Sequence, residues 1–383
     1  MLSVNCIEKK EIINKKNEPN SSHNSDDNTT GKIRKEKEIN KNIKLNKDKE
    51  AIIKYLKVQC PEFFEKFELL DFLNSGGFGS VMTALPKIKN DLNKKQQKKI
   101  VAIKFLNLSN SSEKNEIKHS EILIHGTLKH KNIPPIYGYY KIKENSCIVM
   151  NYEKYGDLEH FRKKVIKNNY LSQTFLCYIL GGLCEAVSYI HTHNKIIHMD
   201  IKQQNILIDE YLNIKLTDYS VSINYKNLKK ITLPKVGTCY YMSPEVLNKE
   251  TISVENASKI DVYSIGVLLY RLAFNDYPFN LTEVDCKNYP QIALNIKENE
   301  LKFPKDEKAK KPFLNLLKHC LDKDINKRYN IYQLMNDPWY KGYQIILNEK
   351  EKLYSASKFV VDLLVDNIRE FNEYIKNLEK KEI

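Results

Sequence analysis

The chain has 383 residues, of which 42% are hydrophobic, so it can bury a core large enough for two lobes. Its eight scattered cysteines form no C-x-x-C pair, which argues against a zinc ribbon or a thioredoxin-like motif. Its formal net charge is +14, but the basic excess lies in Lys/Asn-rich stretches without an arranged aromatic platform. We therefore interpret it as solvated surface and expect no nucleic-acid partner.

The N-terminus has no apolar h-region, and no uncharged apolar run reaches about 18 residues. We expect neither a signal peptide nor a membrane span, and a cytoplasmic or nuclear location. Residues 1–50 are rich in Asn, Lys, Glu and Ser, which predicts disorder. Residues 51–342 are predicted to form the folded domain, with a small lobe to about residue 150 and a large lobe after it, and 343–383 a helical C-terminal tail.

A glycine-rich stretch between two strand-like runs opens the folded domain. Such a turn can lay backbone amides over phosphates, because no Cβ blocks close approach. Its residues are Leu73, Asn74, Ser75, Gly76, Gly77, Phe78, Gly79, Ser80 and Val81. The strand Val101-Ala102-Ile103-Lys104 follows, with Ala102 and Lys104 on one face. A lysine ending an apolar strand usually reaches solvent, but beside a phosphate loop it can grip phosphates.

Helical periodicity over residues 113–128 predicts a helix that carries two glutamates, Glu116 and Glu121. Farther on, Met150-Asn151-Tyr152-Glu153-Lys154-Tyr155-Gly156-Asp157-Leu158 reads as the connection between the lobes. Residues 175–193 are predicted to form a long, largely buried helix.

The stretch His198-Met199-Asp200-Ile201-Lys202-Gln203-Gln204-Asn205 is predicted to be a loop between that helix and a short β-branched run. Asp200 can orient a hydroxyl nucleophile and accept its proton, and Lys202 can reach a phosphate. Asn205 can offer an amide oxygen to Mg²⁺, as can the carboxylate of Asp218 after the next short strand.

From Phe67 to Trp339, about 270 residues, the order and spacing of these motifs resemble the eukaryotic protein kinases. Lys202 and the G-T-x-x-Y-M-x-P-E pattern of residues 237–245 are similar to the serine/threonine branch. The resemblance implies an α+β fold of two lobes: a small antiparallel β-sheet lobe with one main helix, and a larger, mainly helical lobe. It implies a serine/threonine protein kinase that uses ATP and Mg²⁺ to phosphorylate a protein substrate.

The resemblance also implies a role for each matching residue. Lys104 and Glu121 position the phosphates, with Glu116 as the competing glutamate. Asp200 orients the hydroxyl, Lys202 steadies the moving phosphoryl group, and the metal ligands are Asn205 and Asp218. Met150 gates the pocket behind the adenine and Asp157 reaches the ribose. The implied nucleotide-binding residues beyond the glycine-rich stretch are Ala102, Lys104, Met150, Tyr152, Asp157 and Leu207.

Three departures from the family pattern stand in the motifs: Asn74 for the first glycine, Met199 for the arginine before the catalytic aspartate, and Tyr219-Ser220 for Phe-Gly. That arginine often binds an activation-loop phosphate, so we predict activity that does not depend on one. The alternative is a nucleotide-binding pseudokinase that acts as a scaffold. Retention of Lys104, Asp200, Asn205 and Asp218 favours the active enzyme.

Two acidic positions that read basic substrates in some kinases are Gln204 and Arg271 here. We therefore expect no preference for arginine upstream of the acceptor. In the tail, an apolar stripe is formed by Phe359, Leu363, Ile368, Phe371 and Ile375. Docking on the large lobe or self-pairing is favoured over a calmodulin-like target site, and the tail is where a regulatory partner would bind. No membrane partner is expected.

Overall fold

A computed structural model describes residues 47–76, 79–87, 99–106, 121–142, 145–165, 171–304, 309–352 and 369–381. The chain divides into two compact units, residues 1–52 and 53–383. In the first unit the described residues, 47–52, are helical. They include 47–50, at the end of the segment predicted to be disordered, where Lys47 and Glu50 stand three residues apart on one helix face.

The small lobe of the second unit is a twisted antiparallel sheet preceded by two short helices, α1 (53–59) and α2 (Phe63–Lys66). Its strands are β1 (Phe67–Gly76), β2 (Gly79–Pro86), β3 (Val101–Leu106), β4 (Ile136–Ile142) and β5 (Asn145–Asn151). They lie in the order β1-β2-β3-β5-β4, and helix α3 covers residues 121–127. The ring of Phe63 lies 5.0 Å from Phe67 and 5.9 Å from Phe105, which anchors α2 to the sheet.

The large lobe is mainly helical, and its described residues also form three short pairs of strands. Its helices are α4 (Leu158–Val165), α5 (Gln173–Tyr189), α6 (Pro244–Leu247), α7 (Ala257–Phe274), α8 (Tyr289–Glu298), α9 (Lys311–Cys320), α10 (Ile331–Asn336), α11 (Pro338–Lys352) and α12 (Arg369–Lys381). The strand pairs are β6 (Ile196–Ile197) with β9 (Ile223–Asn224), β7 (Ile206–Ile208) with β8 (Ile214–Leu216), and β10 (Lys230–Thr232) with β11 (Thr251–Ser253). The two-lobed α+β fold predicted from the sequence is confirmed.

Helices α5 and α7 form the centre of the large-lobe core. The Ser172 hydroxyl caps α5 by accepting from the Phe175 amide at 3.0 Å, which satisfies a donor that the helix itself leaves open. Among the described residues one stretch, Gln173–Asn194, has the length and apolar character to span a membrane, with a mean hydropathy of 1.3. Because 83% of that window is buried within the protein, its apolar side chains already have packing partners.

The C-terminal helices pack against this core. The predicted domain boundary at residue 342 falls inside α11, and Tyr343 lies against α5 at Gly181. In α12, Ile375 is 4% exposed and the Tyr374 hydroxyl donates to the Pro338 carbonyl at 2.7 Å. Of the predicted apolar stripe, Phe359, Leu363 and Ile368 lie outside the described residues.

Candidate active site

The glycine-rich stretch is the hairpin between β1 and β2, with Gly76 opposite Gly79. Gly77 and Phe78 lie outside the described residues. Leu73, Asn74 and Ser75 lie near the end of β1, and Ser80 and Val81 near the start of β2. A Cβ on Gly79 would lie 2.2 Å from the Phe105 carbonyl oxygen of β3. The close approach of β3 therefore requires a glycine at position 79, whether or not a phosphate binds over this turn.

Lys104 on β3 lies between two carboxylates that come from distant parts of the chain. Its Nζ is 2.6 Å from Glu121 Oε1 on α3 and 2.7 Å from Asp218 Oδ1 in the large lobe. The side chains of Lys104 and Glu121 are only 10% and 2% exposed. The structure thus joins three predicted site residues, while Glu116 lies outside the described residues.

Burial and pairing oppose each other in this cluster. Burial disfavours the charged ammonium, but Glu121 and Asp218 outweigh it and raise the pKa of Lys104. For Asp218, burial acts to raise the pKa, but Lys104 outweighs it and lowers the pKa to about 2. Burial raises the pKa of Glu121 and Lys104 only partly offsets it. Asp218 is therefore an anion at neutral pH.

The residues after Asp218 hold it in place. Asp218 has a φ of 68°, and the Tyr219 ring is fully buried, 4.9 Å from His125 and 5.0 Å from His198. Burial lowers the pKa of both histidines, so the rings that flank the tyrosine are neutral. Ser220 does not adopt a positive φ, so serine replaces the family's glycine here without backbone strain.

The catalytic-loop residues converge on the Asp200 carboxylate. Oδ2 accepts from Lys202 Nζ at 2.7 Å and from Asn205 Nδ2 at 3.0 Å. Oδ1 accepts from the Thr238 hydroxyl at 2.7 Å, and this hydroxyl in turn accepts from Lys202 Nζ at 2.8 Å. Thr238 belongs to the segment between Asp218 and Glu245, which we call the activation segment. That segment is therefore bonded directly to the loop.

Asp261 of α7 holds the backbone of the catalytic loop through hydrogen bonds. Its carboxylate, fully buried, accepts from the amides of His198 at 2.8 Å and Met199 at 3.0 Å. Met199 has a φ of 69°, which an L-residue adopts only when its surroundings impose it. Gly237 of the activation segment, at φ 105°, approaches so closely that a Cβ would lie 2.4 Å from the Met199 carbonyl oxygen.

An apolar cluster lies beside these charges at the junction of the lobes. Ala102 and Met150 pair across β3 and β5 and are buried together, with Val81 and Tyr152 packed against them. Leu207 of β7 forms an isolated bridge with Asp157. The Asp157 carboxylate accepts from the His160 amide at 2.8 Å, so it already caps α4. Apolar side chains with a few polar groups nearby are the usual lining of a site for a heteroaromatic base.

The donor set at Asn205 and Asp218 fits a magnesium ion bound together with phosphates. Mg²⁺ prefers hard oxygen ligands, and at nucleotide sites one or two protein side chains and the phosphates share its coordination. Asp218 supplies an anionic carboxylate whose side chain is 22% exposed. Asn205 uses its amide nitrogen on Asp200, so its oxygen is the atom suited to a cation. In the described part of the chain, no cluster of three or more His, Cys, Asp or Glu side chains forms an alternative metal site.

Comparison with known proteins gives the same assignment. The family model for the protein kinase domain matches residues 67–340. Calcium-dependent protein kinase 6 of Plasmodium berghei is 31% identical over 325 residues, which cover 81% of this chain and 20% of that protein. Aurora-2, a serine/threonine-protein kinase of Arabidopsis thaliana, is 27% identical over 276 residues, covering 71% of this chain and 89% of that protein.

A third relative, the serine/threonine-protein kinase STE20 of Debaryomyces hansenii, is 30% identical over 275 residues, covering 71% of this chain and 23% of that protein. This chain thus spans about a fifth of the length of the Plasmodium and Debaryomyces relatives, and most of the length of the Aurora relative. The chain belongs to the protein kinase family, whose members generally use ATP and Mg²⁺ and act on proteins.

Two contacts of this site are not predicted from the sequence. Thr238, which in the sequence only marks the serine/threonine branch, bonds both Asp200 and Lys202. His125 was not singled out, although it packs on Tyr219 and its Nε2 lies 3.0 Å from the Pro134 carbonyl. The G-T dipeptide could have indicated the first contact, whereas nothing local to His125 indicates the second.

Proposed function

We propose that this chain is an active serine/threonine protein kinase, which transfers the γ-phosphoryl group of ATP to a protein hydroxyl with Mg²⁺ bound at Asn205 and Asp218. The observation that carries the proposal is the assembled site. Lys104 contacts Glu121 and Asp218, and Asp200 is held by Lys202, Asn205 and Thr238. These contacts join both lobes and the activation segment.

In the proposed reaction each side chain positions a group or stabilises charge. Lys104 fixes the non-transferred phosphates, and its partner Glu121 keeps the ammonium in place. The bound magnesium ion neutralises phosphate charge. Asp200 accepts a hydrogen bond from the acceptor hydroxyl and takes up its proton as the new bond forms, while Lys202 offers positive charge to the moving phosphoryl oxygens.

The test is transfer of radiolabelled phosphate from ATP to a generic serine/threonine substrate, comparing the wild type with Asp200→Asn. The substitution keeps the shape of the side chain but removes the base, so we expect a loss of at least about a hundredfold in kcat. Glu210→Gln, in an exposed turn, is the matched control for loss of one carboxylate and should retain full activity.

The competing function is the nucleotide-binding pseudokinase. It predicts no transfer by either protein, together with a rise in melting temperature when ATP and Mg²⁺ are added. Transfer that persists in Asp200→Asn at the wild-type rate would contradict the role given to Asp200.

Three further proposals concern the domain limits, the location and a regulatory partner. We propose residues 51–342 as the kinase domain, with a cytoplasmic or nuclear location.

We propose that a regulatory partner binds residues 343–383 on the polar face of α12, because Tyr374, Ile375 and Leu378 pack inward while Lys376 and Asn377 are exposed. Cross-linking from Lys376 in cells, followed by mass spectrometry, tests this: recovery of only intramolecular links would contradict it.

A further inference from the structure

Two arginines from different helices meet at the end of α7. Arg162 of α4 donates from Nη1 to the side-chain oxygen of Asn275 at 3.2 Å, and Arg271 of α7 donates to the Asn275 carbonyl. Asn275 ends the helix in a left-handed conformation, with a φ of 53°. One residue therefore brings two guanidinium groups together.

One carboxylate, Glu159, lies beside this pair and attracts Arg162, but both of its oxygens are hydrogen-bonded to other side chains. Burial and the neighbouring Arg271 both lower the pKa of Arg162. Glu159 is also near, but its two oxygens accept from Lys163 Nζ and Gln204 Nε2, each at 2.7 Å. Arg162 Nε is buried and has no hydrogen-bond partner among the described residues. Because the Glu159 carboxylate also pairs with Lys163, the two arginines keep a net positive charge.

The pair is linked to the reacting groups through neighbouring residues of the catalytic loop and the activation segment. Gln204, which bonds Glu159 on α4, precedes Asn205 in the catalytic loop. The Arg271 guanidinium stacks 4.8 Å above the Tyr277 ring. That ring lies 4.7 Å from Tyr240 of the activation segment, two residues after the Thr238 that bonds Asp200. A polypeptide whose hydroxyl reaches Asp200 can therefore pass within reach of both arginines.

We propose that Arg162 and Arg271 form a subsite for an anionic side chain of the protein substrate, either a carboxylate or a phosphate. Planar guanidinium groups recognise both anions through paired hydrogen bonds, and stacking on Tyr277 fixes the orientation of one of them. The subsite rests on the proposed kinase function and adds a class of substrate to it. It predicts selection for an acidic or previously phosphorylated sequence near the acceptor.

The first experiment uses peptides with one serine acceptor in a neutral background. At each position on either side of the serine, one residue is replaced in turn by Glu, phosphoserine or Arg. For the wild type we expect KM to fall about tenfold when an anion occupies one position, because charge-assisted hydrogen bonds are gained there. If phosphoserine lowers KM more than Glu does, the enzyme selects substrates that are already phosphorylated. If the two lower KM equally, it selects acidic sequences.

Variants assign this preference to the pair. Arg271→Gln should remove most of it, and Arg271→Glu should replace it with a preference for Arg at the same position. Lys164→Gln, an exposed lysine on α4, alters the net charge equally and should keep the preference. Retention of the anion preference in Arg271→Gln, or equal KM values for neutral and anionic peptides, would overturn the proposal.

A binding measurement keeps the subsite testable without turnover. Fluorescence anisotropy with labelled neutral and anionic peptides, on the full chain carrying Asp200→Asn, should show about tenfold tighter binding of the anionic one. That difference should shrink as salt is raised. Binding without a difference overturns the subsite, whereas selective binding by a wild-type protein that transfers no phosphate supports it and instead contradicts the kinase function.

Discussion

At the scale of single residues, the site depends on charges that stabilise one another in the interior. Lys104 is the centre of this arrangement, because both of its carboxylate partners lose their counter-charge without it. An unpaired buried charge costs several kcal/mol, so the three groups act as a unit.

The Lys104–Glu121 contact should matter for catalysis. Glu121→Gln keeps the volume of the side chain but removes the charge opposite the ammonium. Because a charge-assisted hydrogen bond contributes about 1.5–3 kcal/mol, we expect kcat/KM to fall by about tenfold to a hundredfold in steady-state kinetics. An unchanged kcat/KM, with Glu210→Gln as the reference, would contradict the role given to Glu121.

His125 should make stability depend on pH. Burial lowers its pKa to about 4 from 6.5, so the folded state binds fewer protons than the unfolded chain in this range. The free energy of unfolding should therefore fall as pH drops through 6.5 toward 4. Between about pH 7 and pH 5 we expect His125 alone to remove about 2 kcal/mol.

Urea unfolding of the wild type and His125→Gln at both pH values measures this contribution. The variant will be less stable at neutral pH, because it loses the packing on Tyr219, but its loss on acidification should be smaller. His193→Gln, at an exposed position, is the control and should follow the wild type. Parallel losses in all three proteins would exclude the contribution of His125.

At the scale of elements, the activation segment is held by backbone and hydroxyl contacts. Its strand β10 pairs with β11, and Gly237 and Thr238 meet the catalytic loop. Met199, 5% exposed, stands where a phosphate-binding arginine is usual in the family. We therefore expect the segment to be ordered without a phosphate.

Substitution of two threonines separates these contributions. Thr232 is exposed and meets Thr251 at 2.9 Å on the edge of the strand pair, so Thr232→Ala should change kcat less than about twofold. Thr238→Ala removes a partner of both Asp200 and Lys202 and should lower kcat at least about tenfold. A hundredfold loss in Thr232→Ala would contradict activity that is independent of phosphorylation in this segment.

The sequence predicts those elements whose pattern of residues lies within the element itself. The 3.6-residue spacing predicted α5, and the order of the motifs predicted the two lobes, because periodicity and spacing are local properties. Prediction is less successful where a residue depends on a distant neighbour. Gly79 is fixed by Phe105 of the next strand, and the backbone of Ser220 could be judged only in its folded setting.

At the scale of the whole molecule, the C-terminal helices belong to the large-lobe core. A Cβ added to Gly181 would lie 2.1 Å from the Tyr343 ring, so the ring occupies the space that the glycine leaves on α5. Lys350 of the same helix lies 2.6 Å from the Tyr178 hydroxyl and 2.9 Å from Asn213 Oδ1. The stable unit therefore extends beyond residue 340, where the family match ends.

A double-mutant cycle tests this packing. Gly181→Ala should cost about 1–3 kcal/mol by overpacking, and Tyr343→Ala about 3–5 kcal/mol by leaving a cavity. Because the added methyl group fills part of that cavity, the double variant should be more stable than the sum predicts. Urea unfolding provides the values, with Tyr332→Ala, at a 59% exposed position, as the control. Additive costs would mean that the residues at positions 181 and 343 are not in contact.

The contact between Gly181 and Tyr343 also constrains how this protein can change over generations. A larger residue at 181 costs less stability once the aromatic ring at 343 has become smaller, whereas a smaller residue at 343 that comes first leaves a cavity in the core. Descendants of this chain are thus expected to retain the pair or to replace both members within a short interval. Sequencing of variants that survive selection for folding would reveal that linkage as paired substitutions 162 positions apart along the chain.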